Sequence, residues 1–280
     1  MMREPWNVLM AILLLAIPAA ARSLLVYAGA AAKPPLEEIA RAYEEECGVR
    51  VDLVLGGSGH VLAQMRLTGR GDLYLPGSSD YMELAKRQGL VRPETERPVV
   101  YLVPAINVRK GNPRGIRTLH DLTRPGLRVA IANPEGVCLG AYAVEIVTGQ
   151  LDAAGQAAFR RNLVNYTESC EKTATAISLG MVDAVLGWSV FQHWDSTRIE
   201  SLPLDPGQVA RVGTIPIALS TCTRDAAAAQ RFLDFVTGPA GREIFARHRY
   251  FATPEAAFRW LGAVRPVGGE FAVPADWLAP

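Results

Sequence analysis

Asn133-Pro134-Glu135-Gly136-Val137-Cys138-Leu139-Gly140, followed by Ala141-Tyr142-Ala143-Val144-Glu145-Ile146, reads as a turn that opens onto a helix. Further on, Thr167-Glu168-Ser169-Cys170-Glu171-Lys172 leads into a second helical stretch, Thr173 to Leu179. Both are strand-to-helix junctions inside the stretch Asn133 to Leu186, and each puts turn or cap residues at a helix start. A helix N-terminus carries unsatisfied N–H donors and roughly half a positive charge. Two of them in one cleft favour an oxyanion without any arginine.

The same device appears twice nearer the amino end. Leu24 to Ala28 reads as a buried strand, followed by an alanine tract and a helix in which Leu36, Ile39, Ala40 and Tyr43 share a face and Gly48 is the stop. Val49, Val51, Leu53 and Leu55 alternate as a second strand that runs into Gly56-Gly57-Ser58-Gly59 and a helix from about Val61 to Leu67. That glycine loop lacks the Lys-Ser/Thr ending of a nucleotide P-loop and the spacing of a dinucleotide fingerprint. Leu73 to Leu75 is a third strand, and Ser79 is predicted to cap a helix from Met82 to Gln88. Pro98 to Ala105 reads as one extended crossing between lobes, Leu127 to Ala132 and Ala184 to Leu186 as second-lobe strands, and Ile215 to Ser220 as the return. Further helices are predicted from Asp225 to Val236, from Pro239, and after a Thr253 cap; beyond Gly262 the tail reads as a loose wrap or disorder.

Strands alternating with helices predict an α/β fold of two lobes, each a mainly parallel sheet flanked by helices, hinged about a ligand cleft. The expected divisions are a signal peptide over 1–22, a first lobe from 23–100 and 215–262, a second lobe over 101–214, and a C-terminal tail over 263–280.

With 280 residues, 49% of them apolar, and a net charge of +1, the chain is long enough for two lobes and lacks the basic excess that nucleic-acid binding requires. Arg3, the apolar run Val8 to Ile17 and Pro18-Ala19-Ala20-Ala21 have the order of a secretory signal, which predicts a periplasmic protein. The run is about ten residues, against the roughly 20 that a spanning helix needs. Cys47, Cys138, Cys170 and Cys222 permit two disulfides in any of three pairings. No CxxC or Cys/His spacing suggests a metal, and no cofactor is expected.

Several segments together resemble a known family. Val26-Tyr27-Ala28-Gly29-Ala30-Ala31 ahead of Leu36-Glu37-Glu38-Ile39, Gly57-Ser58-Gly59 ahead of Leu62-Ala63-Gln64-Met65, Gly71-Asp72-Leu73-Tyr74, Asn133-Pro134-Glu135, and Gly180 to Trp188 resemble the periplasmic molybdate-binding proteins of ABC transporters. The resemblance runs from Leu24 to about Phe251 and implies the type II periplasmic binding-protein fold. It also implies that a tetrahedral oxyanion is held by neutral donors, with Ser58 as a hydroxyl donor and Leu139 and Cys170 as backbone donors. Two positions depart: Ala31 stands where the family has a Ser, and Trp188 where it has a Tyr. Ala30 and Ala31 retain backbone N–H groups, while Trp188 offers one indole donor. Because the resemblance puts the two second-lobe junctions side by side, it implies a Cys138–Cys170 disulfide, the alternatives being two buried small residues or a soft-metal thiolate pair, with Cys47 and Cys222 paired or free.

The implied function is that of a monomeric, non-enzymatic receptor. It would deliver molybdate or tungstate to a membrane permease. The same fold can take another oxyanion, a small organic anion or a metal complex, and adjacent tyrosines of the kind iron receptors use are absent. Two further readings are an exported hydrolase using Ser58 and His60, and a sensory receptor domain. Each site residue also has a plain structural reading: Ser58 as a helix cap, Lys33 as a solvated helix-start lysine, Trp188 as hinge packing, and His60 as a surface histidine.

Overall fold

The computed structural model describes residues 23–278, so the expected signal peptide, 1–22, lies outside the described residues. The first sheet is built from β1 (Ser23–Gly29), β2 (Arg50–Gly56), β3 (Leu73–Leu75), β4 (Arg97–Leu102) and β10 (Gly213–Leu219), in the order β2-β1-β3-β10-β4. The second takes β5 (Pro104–Arg109), β6 (Val129–Ala132), β7 (Leu163–Thr167), β8 (Ala184–Trp188) and β9 (Ile199–Pro203), in the order β7-β6-β8-β5-β9. Around the first sheet lie α1 (Lys33–Cys47), α2 (Ser58–Thr68), α3 (Ser79–Arg87), α8 (Ala226–Thr237) and α9 (Pro239–Arg247). The second carries α4 (Cys138–Gln150), α5 (Ala153–Asn162), α6 (Cys170–Ser178) and α7 (Phe191–Trp194), and α10 (Pro254–Leu261) packs into the same core.

Both sheets are mixed, which corrects the expectation of mainly parallel ones. β1 runs parallel to β2 and β3, and β6 to β7 and β8. β10 is antiparallel to β3 and β4, and β5 to β8 and β9. The reversed strands are the ones that cross between sheets: a strand entering without a helical crossover arrives opposed to its neighbours. The extended run Pro98 to Ala105 is accordingly two strands, broken at Val103, whose carbonyl accepts from Ser189 N at 2.8 Å.

Helix boundaries follow local chemistry. Gly48 ends α1 with φ of 66°, the left-handed geometry a C-terminal glycine permits. Tyr43 packs edge-on against Phe232 and Phe235 of α8, with ring centroids 5.0 and 5.1 Å away. α3 starts earlier than expected, with Ser78 and not Ser79 preceding its first turn. Sequence reading passed over α5, although Asp152 caps it by accepting from Gly155 N at 2.7 Å, and over β9.

The tail is docked, not loose. Val212 N donates to Pro266 O at 2.9 Å and Gly268 N to Val212 O at 2.8 Å. Trp277, 1% exposed, packs on Phe159 with the Arg160 guanidinium 3.9 Å from its ring centroid. One buried aromatic and a cation over its face anchor a segment whose Pro and Gly content alone suggested a free end.

α1 and α9 are joined through Glu38, which accepts hydrogen bonds from Arg247 and, at 2.7 Å, pairs with His248. The Arg247 guanidinium, and then His248, hold the Glu38 carboxyl below its usual range. A lowered folded-state pKa contributes stability above the unfolded value and loses it as pH falls through the folded value. Glu38→Gln should therefore flatten the fall in urea midpoint between pH 5 and pH 3; an unchanged slope would show that the pair carries no pH-dependent stability.

Candidate functional site

Four chain reversals meet between the sheets. β6 and β7 are parallel neighbours that end at Ala132 and Thr167, and Asn133 N donates to Thr167 O at 2.8 Å, so the junctions leading to α4 and α6 leave the sheet side by side. Val137 precedes α4 and Ser169 caps α6, its hydroxyl accepting from Lys172 N at 3.1 Å. Leu139 is second in α4 and Cys170 first in α6, so their N–H groups have no intrahelical acceptor. From the first sheet come the turn Ala30–Ala32 and the start of α2 at Ser58.

The two sides are in contact. Gly59 N donates to Gly136 O at 2.9 Å, and Tyr81 OH to Glu135 O at 2.9 Å. Lys33 pairs with Glu171 across the cleft, so it is not the solvated lysine of the plain reading; that bond raises its pKa. Gly57 sits so near the far side that a Cβ on it would stand 2.7 Å from Gly136 O and 2.9 Å from Glu168 O.

Inside this closure the polar groups converge. Ser58 is 1% exposed and does not cap α2; its Oγ accepts from Gly77 N at 2.9 Å, while its carbonyl accepts from Tyr74 OH at 2.9 Å. Cys138 and Cys170, 1% and 2% exposed, are neighbouring free thiols. The Cys138–Cys170 disulfide expected from the resemblance is not formed in this structure, although the junctions do bring the pair together. The neighbouring Cys170 thiol pushes the Cys138 thiol down, and Cys138 together with burial pushes the Cys170 thiol up.

Tyr142, one helical turn after Cys138 on α4, packs edge-on against Trp188 with ring centroids 4.9 Å apart. On its other contact, the Arg211 guanidinium lies 4.0 Å from the Tyr142 ring centroid. Arg211 Nε donates to Glu145 at 2.7 Å and Nη1 to Asp80 at 3.0 Å, joining the two sides of the cleft. Burial works against the Arg211 charge, but Tyr142, Asp80 and Glu145 outweigh it and raise its pKa. Burial also pushes the Tyr142 phenol well up, keeping it a neutral donor. Tyr142 OH, Trp188 Nε1 and Arg211 Nη2 are the buried side-chain polar atoms without a hydrogen-bond partner among the described residues, and all three belong to this cluster.

Residues 24–250 match the family model of the bacterial extracellular solute-binding proteins. The chain belongs to that family. It is 26% identical over 226 residues to the molybdate-binding protein ModA of Mycobacterium tuberculosis, a match covering 80% of this chain and 82% of the relative. Its fold is that of the type II periplasmic binding proteins. The periplasmic molybdate-binding protein of Azotobacter vinelandii superposes with a TM-score of 0.70 at 18% identity, covering 82% of this chain and 99% of that one. The sulfate-binding protein SubI of M. tuberculosis superposes at 0.71 and 19% identity, covering 88% and 93%. At such identities the structural likeness speaks for the fold alone.

In this solute-binding protein the residues singled out from sequence fall into two groups. Ser58, Ala31, Cys138, Cys170 and Trp188 are drawn together: a Cβ on Gly77 would stand 2.8 Å from Cys138 Sγ and 3.0 Å from Ala31 Cβ. Leu139, 1% exposed, follows Cys138 in the first turn of α4. Ala31 also accepts from Tyr250 OH at 2.6 Å, so part of its role is packing against the end of α9. Ala30 is buried and accepts from Lys33 N. His60 is exposed and its ring covers Gly136, while Ser58 Oγ accepts from Gly77 N, so the structure does not pair Ser58 with His60. Sequence reading missed Gly77, Ser78, Tyr142 and Arg211. Tyr142 was findable from its four-residue spacing to Cys138; Arg211 had no local signal.

Proposed function

We propose that this solute-binding protein is the periplasmic receptor of an ABC transporter and captures a tetrahedral oxyanion of the molybdate or tungstate kind by closing its two lobes around it. The observation that carries this reading is the coincidence of the three unpartnered buried donors, Tyr142 OH, Trp188 Nε1 and Arg211 Nη2, with the helix starts at Ser58, Cys138 and Cys170. A buried donor without an acceptor costs about 1–3 kcal/mol, and an oxyanion brings only acceptors. Domain closure supplies the mechanism: an anion touching both lobes favours the closed form by its differential affinity for it, and the permease reads that form. The ModA likeness favours molybdate among tetrahedral anions. Ala31 and Trp188 alter two donors of the family pattern, which makes the anion panel the deciding experiment.

Calorimetric titration of the ligand-stripped, mature chain with molybdate, tungstate, sulfate, phosphate and vanadate tests this. Tight one-to-one binding of one dianion is expected, and silence across the panel would overturn the oxyanion reading. Ser58→Ala should weaken that binding by about 10- to 150-fold, the equivalent of one hydrogen bond to a charged ligand at about 1.5–3 kcal/mol. An unchanged dissociation constant would remove Ser58 from the site.

A further inference from the structure

Away from the solute cleft, a cavity of about 390 Å³ lies beside the crossing between the two sheets. Ser189, Gln192 and His193, which follow β8, line one side of it, and Arg249, Phe251 and Trp260 line the other. Its volume falls in the range of small-molecule sites, about 300–1,000 Å³. The Phe251 and Trp260 rings, 6.1 Å apart between centroids and tilted by 53°, give it an aromatic wall. Among the described residues no carboxylate lines it. Burial, and then Arg249, hold the His193 imidazole below its usual range, so at neutral pH Arg249 carries the only charge among the lining residues.

Arg249 is kept there against the preference of its backbone. At the end of α9, Tyr250 N donates to Phe245 O at 3.1 Å and Arg249 N to Ala246 O at 2.9 Å, a reversal that holds Arg249 in the left-handed region at φ of 65°. α1, α2 and α10 make their left-handed ends on Gly48, Gly69 and Gly262. Glycine takes this geometry freely, and a residue with a Cβ does not. Among the described residues the Arg249 side chain makes no hydrogen bond or ion pair, so no contact within the fold offsets the strain. An anion in the cavity would.

The cavity is also joined to the solute cleft. Tyr250, which lines it, donates its OH to Ala31 O at 2.6 Å and accepts from Trp194 Nε1 at 3.2 Å. Ser189 directly follows Trp188, and its N–H donates to Val103 O at 2.8 Å where the chain crosses between the sheets.

We propose that this cavity is an effector site for a small aromatic carboxylate, paired with the Arg249 guanidinium and stacked against Phe251 and Trp260, and that filling it favours closure on the solute. A planar guanidinium matches a carboxylate with two parallel hydrogen bonds, and the aromatic wall takes the ring. A ligand touching both sides of the cavity favours the arrangement in which they face each other, and the resulting coupling to the solute is reciprocal. The site stands on the cavity itself; only the coupling rests on the reading of the cleft as the solute site.

The test titrates sodium benzoate into the mature, ligand-stripped chain by calorimetry, with benzamide as the uncharged control and acetate as the control without a ring. Benzoate should bind saturably and one-to-one, and both controls more weakly; equal binding of either control, or no saturable benzoate binding, would overturn the inference. Arg249→Gly should weaken benzoate binding by about 10- to 150-fold, the loss of a hydrogen bond to a charged ligand. Its thermal midpoint should hold or rise, because glycine suits the turn. A lowered midpoint would mean that Arg249 serves packing, and an unchanged benzoate affinity that it does not hold the anion; either result overturns the inference. Saturating benzoate should tighten molybdate binding by about 5-fold or more, with the same factor in the reverse titration. Competition between the two would place benzoate in the solute cleft, and independence would remove the effector role; both count against the inference. Benzoate bound while molybdate is ignored supports the site and removes molybdate from the proposed function, whereas molybdate bound while benzoate is ignored overturns the inference and leaves that function standing.

Discussion

Arg211→Met should lower the unfolding free energy of the protein with its lobes closed on solute by about 3–5 kcal/mol, the cost of leaving a buried charge unpaired. The Arg211 side chain is 6% exposed, and those of its partners Asp80 and Glu145 are 13% and 17% exposed. Removing the guanidinium leaves two largely buried carboxylates facing each other across the lobes, and it strips Tyr142 of the cation over its ring. Arg211 Nη1 also donates to Gly269 O, so the change loosens the docked tail. Urea unfolding at neutral pH with saturating solute measures the loss. A change below about 1 kcal/mol, the value of an exposed pair, would mean that water reaches the triad.

The second large effect concerns closure. Gly57→Ala should weaken solute binding by about 150-fold, close to 3 kcal/mol, the upper end of the cost of overpacking. Gly57 has φ of −60° and ψ of 139°, a conformation alanine adopts without strain, so the substitution does not disturb α2. Its methyl group would stand 2.7 Å from Gly136 O and 2.9 Å from Glu168 O, both backbone atoms of the opposite side that have no rotamer to move to. The free protein should keep its thermal midpoint, and small-angle scattering with saturating solute should show a shape more open than the parent's. Parental affinity would mean that the lobes close without bringing Gly57 against Gly136.

The elements that hold the site were legible because they are made by neighbours in the chain. Gly48 as a stop, the alternation of Val51, Leu53 and Leu55, and the turn residues before Ala141 and Thr173 act within a few residues; β2 and α1 lie within a residue or two of their expected bounds, and α4 and α6 begin three residues earlier than expected. Ser58 was legible as a residue of interest, but its role was not. A serine at a helix start reads as a cap, and only the approach of Gly77, nineteen residues on, turns its hydroxyl away from α2. The mixed sheets were misread for a related reason, since strand direction depends on which sheet a crossing strand joins.

By itself, then, the sequence determined the two-lobe α/β architecture, the strand-to-helix junctions that carry Ser58, Cys138 and Cys170, and the family. Hydrophobic period and turn chemistry are local, and local chemistry survives without coordinates. The tertiary structure decided that Arg211 joins Asp80, 131 residues away, to Glu145, 66 residues away, and that Tyr142, Trp188 and Arg211 end in one buried cluster with donors to spare. Those contacts exist only once the lobes are apposed, because burial is what turns an arginine, a phenol and an indole from ordinary surface or core residues into groups that need a partner.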